Sequence, residues 1–73
     1  MNFDEYKRKL GLRIKYFRTV RKMTQAQLAD IIKMEEKYIS KIENGHQNIN
    51  LETLYKFSQA LNVDTSKLFI FED

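Results

Sequence analysis

Between Thr24 and Gly45 the chain carries two sets of helix punctuation, which leave room for two short helices and little else. The run T-Q-A-Q at 24–27 is a capping box: the Thr24 hydroxyl can accept from the third helical N–H while Gln27 reaches back to the cap. Leu28, Ala29 and Ile32 then share one face of a helix of about two turns. A second helix starts near Glu35 and stops at Gly45, because glycine enters the left-handed conformation without steric cost. Glu35 and Glu36 suit the positive end of its dipole, although Glu35 is a poorer cap than Ser, Thr or Asp. Met34, Ile39 and Ile42 can seat one side of this second helix. Glu36, Lys37, Ser40, Lys41 and Asn44, all able to hydrogen-bond, line the other.

The flanking segments also read as helical. Tyr6, Leu10, Ile14 and Phe17 recur at helical spacing between Phe3 and Lys22, with basic residues interleaved. Asn2 with Glu5 three places on resembles a capping arrangement. This amphipathic segment could lie on a membrane surface, but its stripe is more simply the core face of a small domain. Asn50 caps a further helix marked by Leu54, Phe57, Ser58 and Leu61, which Asn62 ends. Asp64 can cap a last short turn through Leu68 and Phe69, before the tail FIFED. The absence of proline and the presence of only two glycines suit helices and give little support to hairpins. The expectation is an all-α fold of five helices in one domain, 1–73, with a helix-turn-helix formed by helices 2 and 3: residues 24–32 and 36–44, motif about 24–44.

Several classes of function fall away. There is no cysteine and one histidine, His46, so neither a thiolate metal site nor a Cys/His dyad is available, and no metal or cofactor is expected. Met1, Met23 and Met34 read as gap-fillers or termini. No apolar run approaches the length of a membrane span. The start MNFDEYKRKL has no apolar stretch followed by a cleavage site, so no signal peptide is expected and a cytoplasmic location is. No nucleophile–base set converges on one face, so no enzyme is expected. The charge is uneven: residues 1–48 carry a balance of +5 and residues 49–73 one of −2. A basic half suits an anionic partner such as nucleic acid, although solvated helix faces carry charge too.

In a helix-turn-helix the first helix crosses the DNA backbone and the second lies in the major groove. Lys37, Lys41 and Asn44 stand at i, i+4 and i+7, flanked by Glu36 and Ser40. Lysine can donate to guanine O6 and N7, and glutamate can accept from cytosine N4. The runs M-T-Q-A-Q-L-A-D, Y-I-S-K-I-E-N-G, N-L-E-T-L and A-L-N-V-D, in this order and spacing, closely resemble the Cro/repressor-type (Xre) helix-turn-helix family over about residues 10–69. The resemblance implies a compact five-helix, lambda-repressor-like bundle that regulates transcription by binding a palindromic operator in double-stranded DNA as a homodimer. It implies base contacts from Gln25, Glu36, Lys37, Ser40 and Lys41. Backbone contacts are implied for Thr24, Tyr38, Asn44, His46, Gln47 and Asn48. It also implies a structural ion pair of Arg18 with Glu43.

Three positions depart from the family pattern. Lys33 stands in the turn where glycine is frequent, and a left-handed backbone there would cost on the order of 1 kcal/mol. Glu35 replaces the usual Ser or Thr cap. Glu36 puts a negative charge at a reading position, where it needs a cytosine amine or a neighbouring lysine. At the C-terminus the cluster Leu68, Phe69, Ile70, Phe71 reads as a dimer contact within the tail 68–73, carried by Leu68, Phe69 and Phe71, or as core, with Leu68 turned inward. The alternative function is a protein-interaction module of the same fold, an antitoxin or co-regulator binding a protein partner, which the acidic pair Glu35 and Glu36 favours.

Overall fold

Four of the five elements begin at a side chain that accepts a hydrogen bond from the new element's own backbone, which is why the local sequence sets their starts. The computed structural model describes residues 1–71. Helix α1 spans Phe3–Val20, with the Asn2 side chain accepting from the Glu5 amide at 2.8 Å. Helix α2 spans Gln25–Ile32 behind a complete capping box: Thr24 Oγ1 accepts from the Gln27 amide at 3.0 Å, and Gln27 Oε1 from the Thr24 amide at 2.8 Å. Helix α3 spans Glu36–Glu43, and its cap Glu35 makes no side-chain capping bond. Helix α4 spans Leu51–Leu61 behind Asn50, whose side chain accepts from the Thr53 amide at 2.8 Å.

The fifth expected helix is a 3₁₀ turn, Thr65–Phe69, so the bundle has four α-helices and one such turn among its described residues. The reason is length. Asn62 ends α4 in the left-handed conformation, and Asp64 restarts the chain only a few residues before the tail. One turn is too short to nucleate an α-helix, and the i→i+3 pattern takes over. The Asp64 carboxylate accepts the Ser66 amide N–H at 3.0 Å; this bond first, and the Ser66 side chain second, hold its pKa below the ordinary carboxylate value.

Helix ends are governed by left-handed residues. Helix α1 stops at Val20, two residues before the expected Lys22, because Lys22 turns left-handed and the Met23 amide returns to the Arg18 carbonyl at 3.1 Å. Gly45, with φ of 77°, closes α3, and the His46 amide bonds back to Lys41 at 2.8 Å. This Schellman-type closure ends α3 at Glu43, one residue before the expected Asn44.

The core gathers Ile14, Leu28, Ile39, Ile42, Phe57, Leu61 and Leu68, one or two from every element. Of the expected α1 stripe, Ile14 alone is fully buried; Leu10 and Phe17 are half-buried, and Tyr6 remains 40% exposed. The face of α1 turned to α3 is instead marked by Gly11 and Arg18. A Cβ at position 11 would collide with the Ile42 carbonyl and come within 2.8 Å of the Glu43 carbonyl oxygen, so glycine alone permits this approach.

Lys33 adopts φ 62° and ψ 46° at the end of α2, a conformation that a lysine side chain opposes. Replacing Lys33 with Gly is expected to raise stability by about 0.5–1 kcal/mol, the relieved strain less the added unfolded-state freedom. Urea unfolding checks this; a midpoint that falls contradicts it.

Candidate nucleic-acid interface

Helices α2 and α3 are joined by Lys33, Met34 and Glu35, a connection short enough to hold them as one corner. The amphipathic pattern of α3 decides which side faces out. Ile39, Ile42 and Glu43 turn inward. Glu36, Lys37 and Lys41 are exposed on the far side, Asn44 is exposed just past its end, and Ser40 is half-buried at the edge. Tyr38 is half-buried and packs against the core beside Met34. Lys37 Nζ lies 4.0 Å from the Glu35 carboxylate, and both side chains are largely exposed, so the contact holds the ammonium only weakly.

A groove of about 350 Å³ runs beside α3, between Lys37, Tyr38 and Lys41 on one side and Gln47 on the other. The α3–α4 loop is thus brought against Lys37, Tyr38 and Lys41. His46 and Asn48 of that loop are exposed. Thr24 is exposed, but its hydroxyl is engaged in the α2 cap.

Behind this face sits one buried polar cluster. Arg18 Nε donates to Glu43 Oε2 at 2.6 Å and Arg18 Nη2 to Oε1 at 2.9 Å, a two-pronged pair. Arg18 Nη1 donates to the Met23 carbonyl at 2.8 Å. Glu43 is 3% exposed and receives a third bond at 3.0 Å, from Gln25 Nε2. One carboxylate therefore ties α1, the first residue of α2 and the last residue of α3. The Glu43 carboxylate, chiefly by hydrogen bonding, raises the Arg18 pKa above its usual value, with burial opposing. Among the described residues no buried side-chain N or O lacks a hydrogen-bond partner.

Sequence reasoning missed the Gln25–Glu43 bond, and no local pattern announces it. It also missed the internal use of basic residues. Arg13 donates to the Lys67 carbonyl at 3.1 and 3.3 Å and stacks its guanidinium over Tyr16 and Phe17. Arg21 donates to the Asn62 carbonyl at 3.2 Å. With Arg18, these arginines fasten the first 21 residues to other elements, although Arg21 remains exposed.

The assignment of Leu68 as a dimer contact is corrected. Leu68 is fully buried in the core, because the 3₁₀ turn rolls its side chain inward. Phe69 and Phe71 are half-buried around Tyr6, with ring centroids 5.9 and 5.3 Å away, while Ile70 is exposed. The remainder of the expected contact, Glu72 and Asp73, lies outside the described residues.

Two short helices meeting at a tight corner, the second buried on one side and polar on the other, define a helix-turn-helix unit. The profile of the helix-turn-helix family HTH_3 matches residues 14–68. Control protein C.SmaI of Serratia marcescens is 32% identical over 66 residues, covering 90% of this chain and 79% of that one. The immunity repressor of Bacillus phage phi105 is 37% identical over 59 residues, or 81% of this chain and 41% of the repressor. The solved structure of the restriction-modification controller protein C.AhdI from Aeromonas hydrophila superimposes with a TM-score of 0.82 at 29% identity, over 85% of this chain and 94% of that one. The chain belongs to the HTH_3 helix-turn-helix family. It is a DNA-binding transcriptional regulator rather than an enzyme. No helix among its described residues is long and apolar enough to cross a membrane.

Replacing Arg18 with Ala strands the Glu43 carboxylate in the interior and is expected to cost about 3–5 kcal/mol, whereas joint replacement by Arg18→Met and Glu43→Leu should cost far less. Urea unfolding of the two variants beside the unaltered chain checks this. An unaltered midpoint for Arg18→Ala contradicts it.

Proposed function

We propose that the whole chain acts as one domain that binds a palindromic operator in double-stranded DNA as a homodimer, with α3 in the major groove. The observation that carries this reading is the outward side of α3. Lys37 and Lys41 present two donors one helical turn apart, on a helix whose other side is locked into the core. Lys37 and Lys41 donate to guanine edges, Ser40 supplies an adaptable hydroxyl, and Glu36 accepts from a cytosine amine. Gln25 gives one amide N–H to Glu43 and keeps the other for the DNA.

Asn44, His46, Gln47 and Asn48 follow the phosphate backbone, with Tyr38 and Thr24 at the edges of the footprint. The exposed side of Ile70, beside Phe71, supports the C-terminal segment as the dimer surface. The likeness to controller proteins supports an operator that governs a restriction–modification gene set, acting in the cytoplasm.

Replacing Lys37 with Ala is expected to relax base choice at one operator position and to cost roughly 1–3 kcal/mol there. Competition between operator variants, read by fluorescence anisotropy, checks this. An unchanged order of preference removes Lys37 from the reading set.

A further inference from the structure

We propose that the cleft between the first half of α1 and the α3–α4 loop binds a small aromatic or aliphatic carboxylate, and that its occupancy alters DNA affinity through Gln47. The second half of this statement rests on the operator-binding reading above.

The cleft measures about 300 Å³, at the lower end of the roughly 300–1,000 Å³ of small-molecule sites. Its walls are apolar and come from every part of the bundle that borders it: Phe3 of α1, Ile42 of α3, Leu54 of α4 and Phe69 of the 3₁₀ turn. The backbone at Gly11 forms part of the lining. Sugars and other polar ligands would lose their hydration against such walls without regaining hydrogen bonds.

Three residues of the lining carry polar side-chain groups, Tyr6, Lys7 and Gln47, and the lysine selects the ligand's charge. Among the described residues that line it, Lys7 is the one cation. Its side chain is 22% exposed, and Nζ stands 4.9 Å from the centre of the Phe3 ring. Nζ also lies 3.5 Å from the carboxylate of Asp4, which is 91% exposed. That contact pairs the ammonium with a carboxylate that does not itself line the cleft. It is also an exposed i,i+3 pair, which holds its partner weakly and yields to a carboxylate arriving with its own apolar anchor. Gln47 supplies an amide and Tyr6 a phenol, each able to donate or accept.

The link to DNA follows from the position of Gln47. This side chain lines both the cleft and the groove that carries Lys37, Tyr38 and Lys41. A ligand that contacts Gln47 differently in the free and DNA-bound states shifts DNA affinity, and by linkage DNA shifts ligand affinity by the same factor.

The test uses the full chain with phenylacetate and its uncharged counterpart phenylacetamide, followed by amide chemical shifts. The expected result is saturable shifts at Gly11, Ile42 and Gln47, with phenylacetamide about tenfold weaker for want of the Lys7 contact. Lys7→Gln should bring phenylacetate down to the amide's affinity without disturbing the remaining spectrum, and Asp4→Asn should tighten it. Absence of saturable shifts, or equal binding of acid and amide, overturns the site. If the acid binds but neither partner alters the other's affinity, the coupling through Gln47 is overturned while the site stands. If the acid binds to a chain that binds no DNA, the operator-binding reading fails and the carboxylate site survives.

Discussion

The contact between Arg18 and Glu43 is the constraint on which the arrangement depends. Glu43 is the last residue of α3, and its carboxylate takes two bonds from α1 and one from the first residue of α2. Bringing two charges out of water is costly, and such a pair seldom adds much net stability over an apolar replacement. Its value here is register. An apolar contact could slide by part of a turn, whereas a two-pronged guanidinium–carboxylate pair has one geometry. Gly11 makes the pair reachable, since any side chain there would hold α1 away from the Ile42 and Glu43 carbonyls.

With α3 fixed in rotation, its polar side has only one direction left. Ile39 and Ile42 are seated in the core, and Lys37, Lys41 and Asn44 face away from it. Among Arg13, Arg18 and Arg21, Arg18 is consumed by the buried Glu43 carboxylate, whereas Arg13 and Arg21 reach carbonyls at exposed positions. The exposed cations of α3 are Lys37 and Lys41. One of the left-handed non-glycine residues lies at the corner between α2 and α3. There Lys33 is held left-handed and Glu35 makes no side-chain cap at the start of α3.

The parts of the fold legible in the sequence are those fixed by residues close together in the chain. Asn2, Thr24, Asn50 and Asp64 cap the elements they precede, and Gly45 stops α3, because each acts on an amide within three residues or on its own backbone. The two sides of α3 follow from the 3.6-residue period for the same reason. What escaped depends on distance in sequence. Nothing local says that Gln25 meets a carboxylate 18 residues on, that Gly11 lies against α3, or that Tyr6 stays partly exposed under two phenylalanine rings. The last element was misjudged because capping signals mark where a turn starts and not how many residues it can recruit. Leu68 was assigned two roles by sequence, and only the three-dimensional core chose between them.

The most direct test of the account is selection from randomised duplex DNA with the purified chain at near-physiological salt, where the sequence-independent phosphate attraction is damped. The account predicts recovery of an inverted repeat whose half-sites are centred about one helical turn apart, roughly 34 Å. Recovery of no sequence above background would contradict it. The acidic start of α3 at Glu35 and Glu36 would then mark a surface for a protein partner.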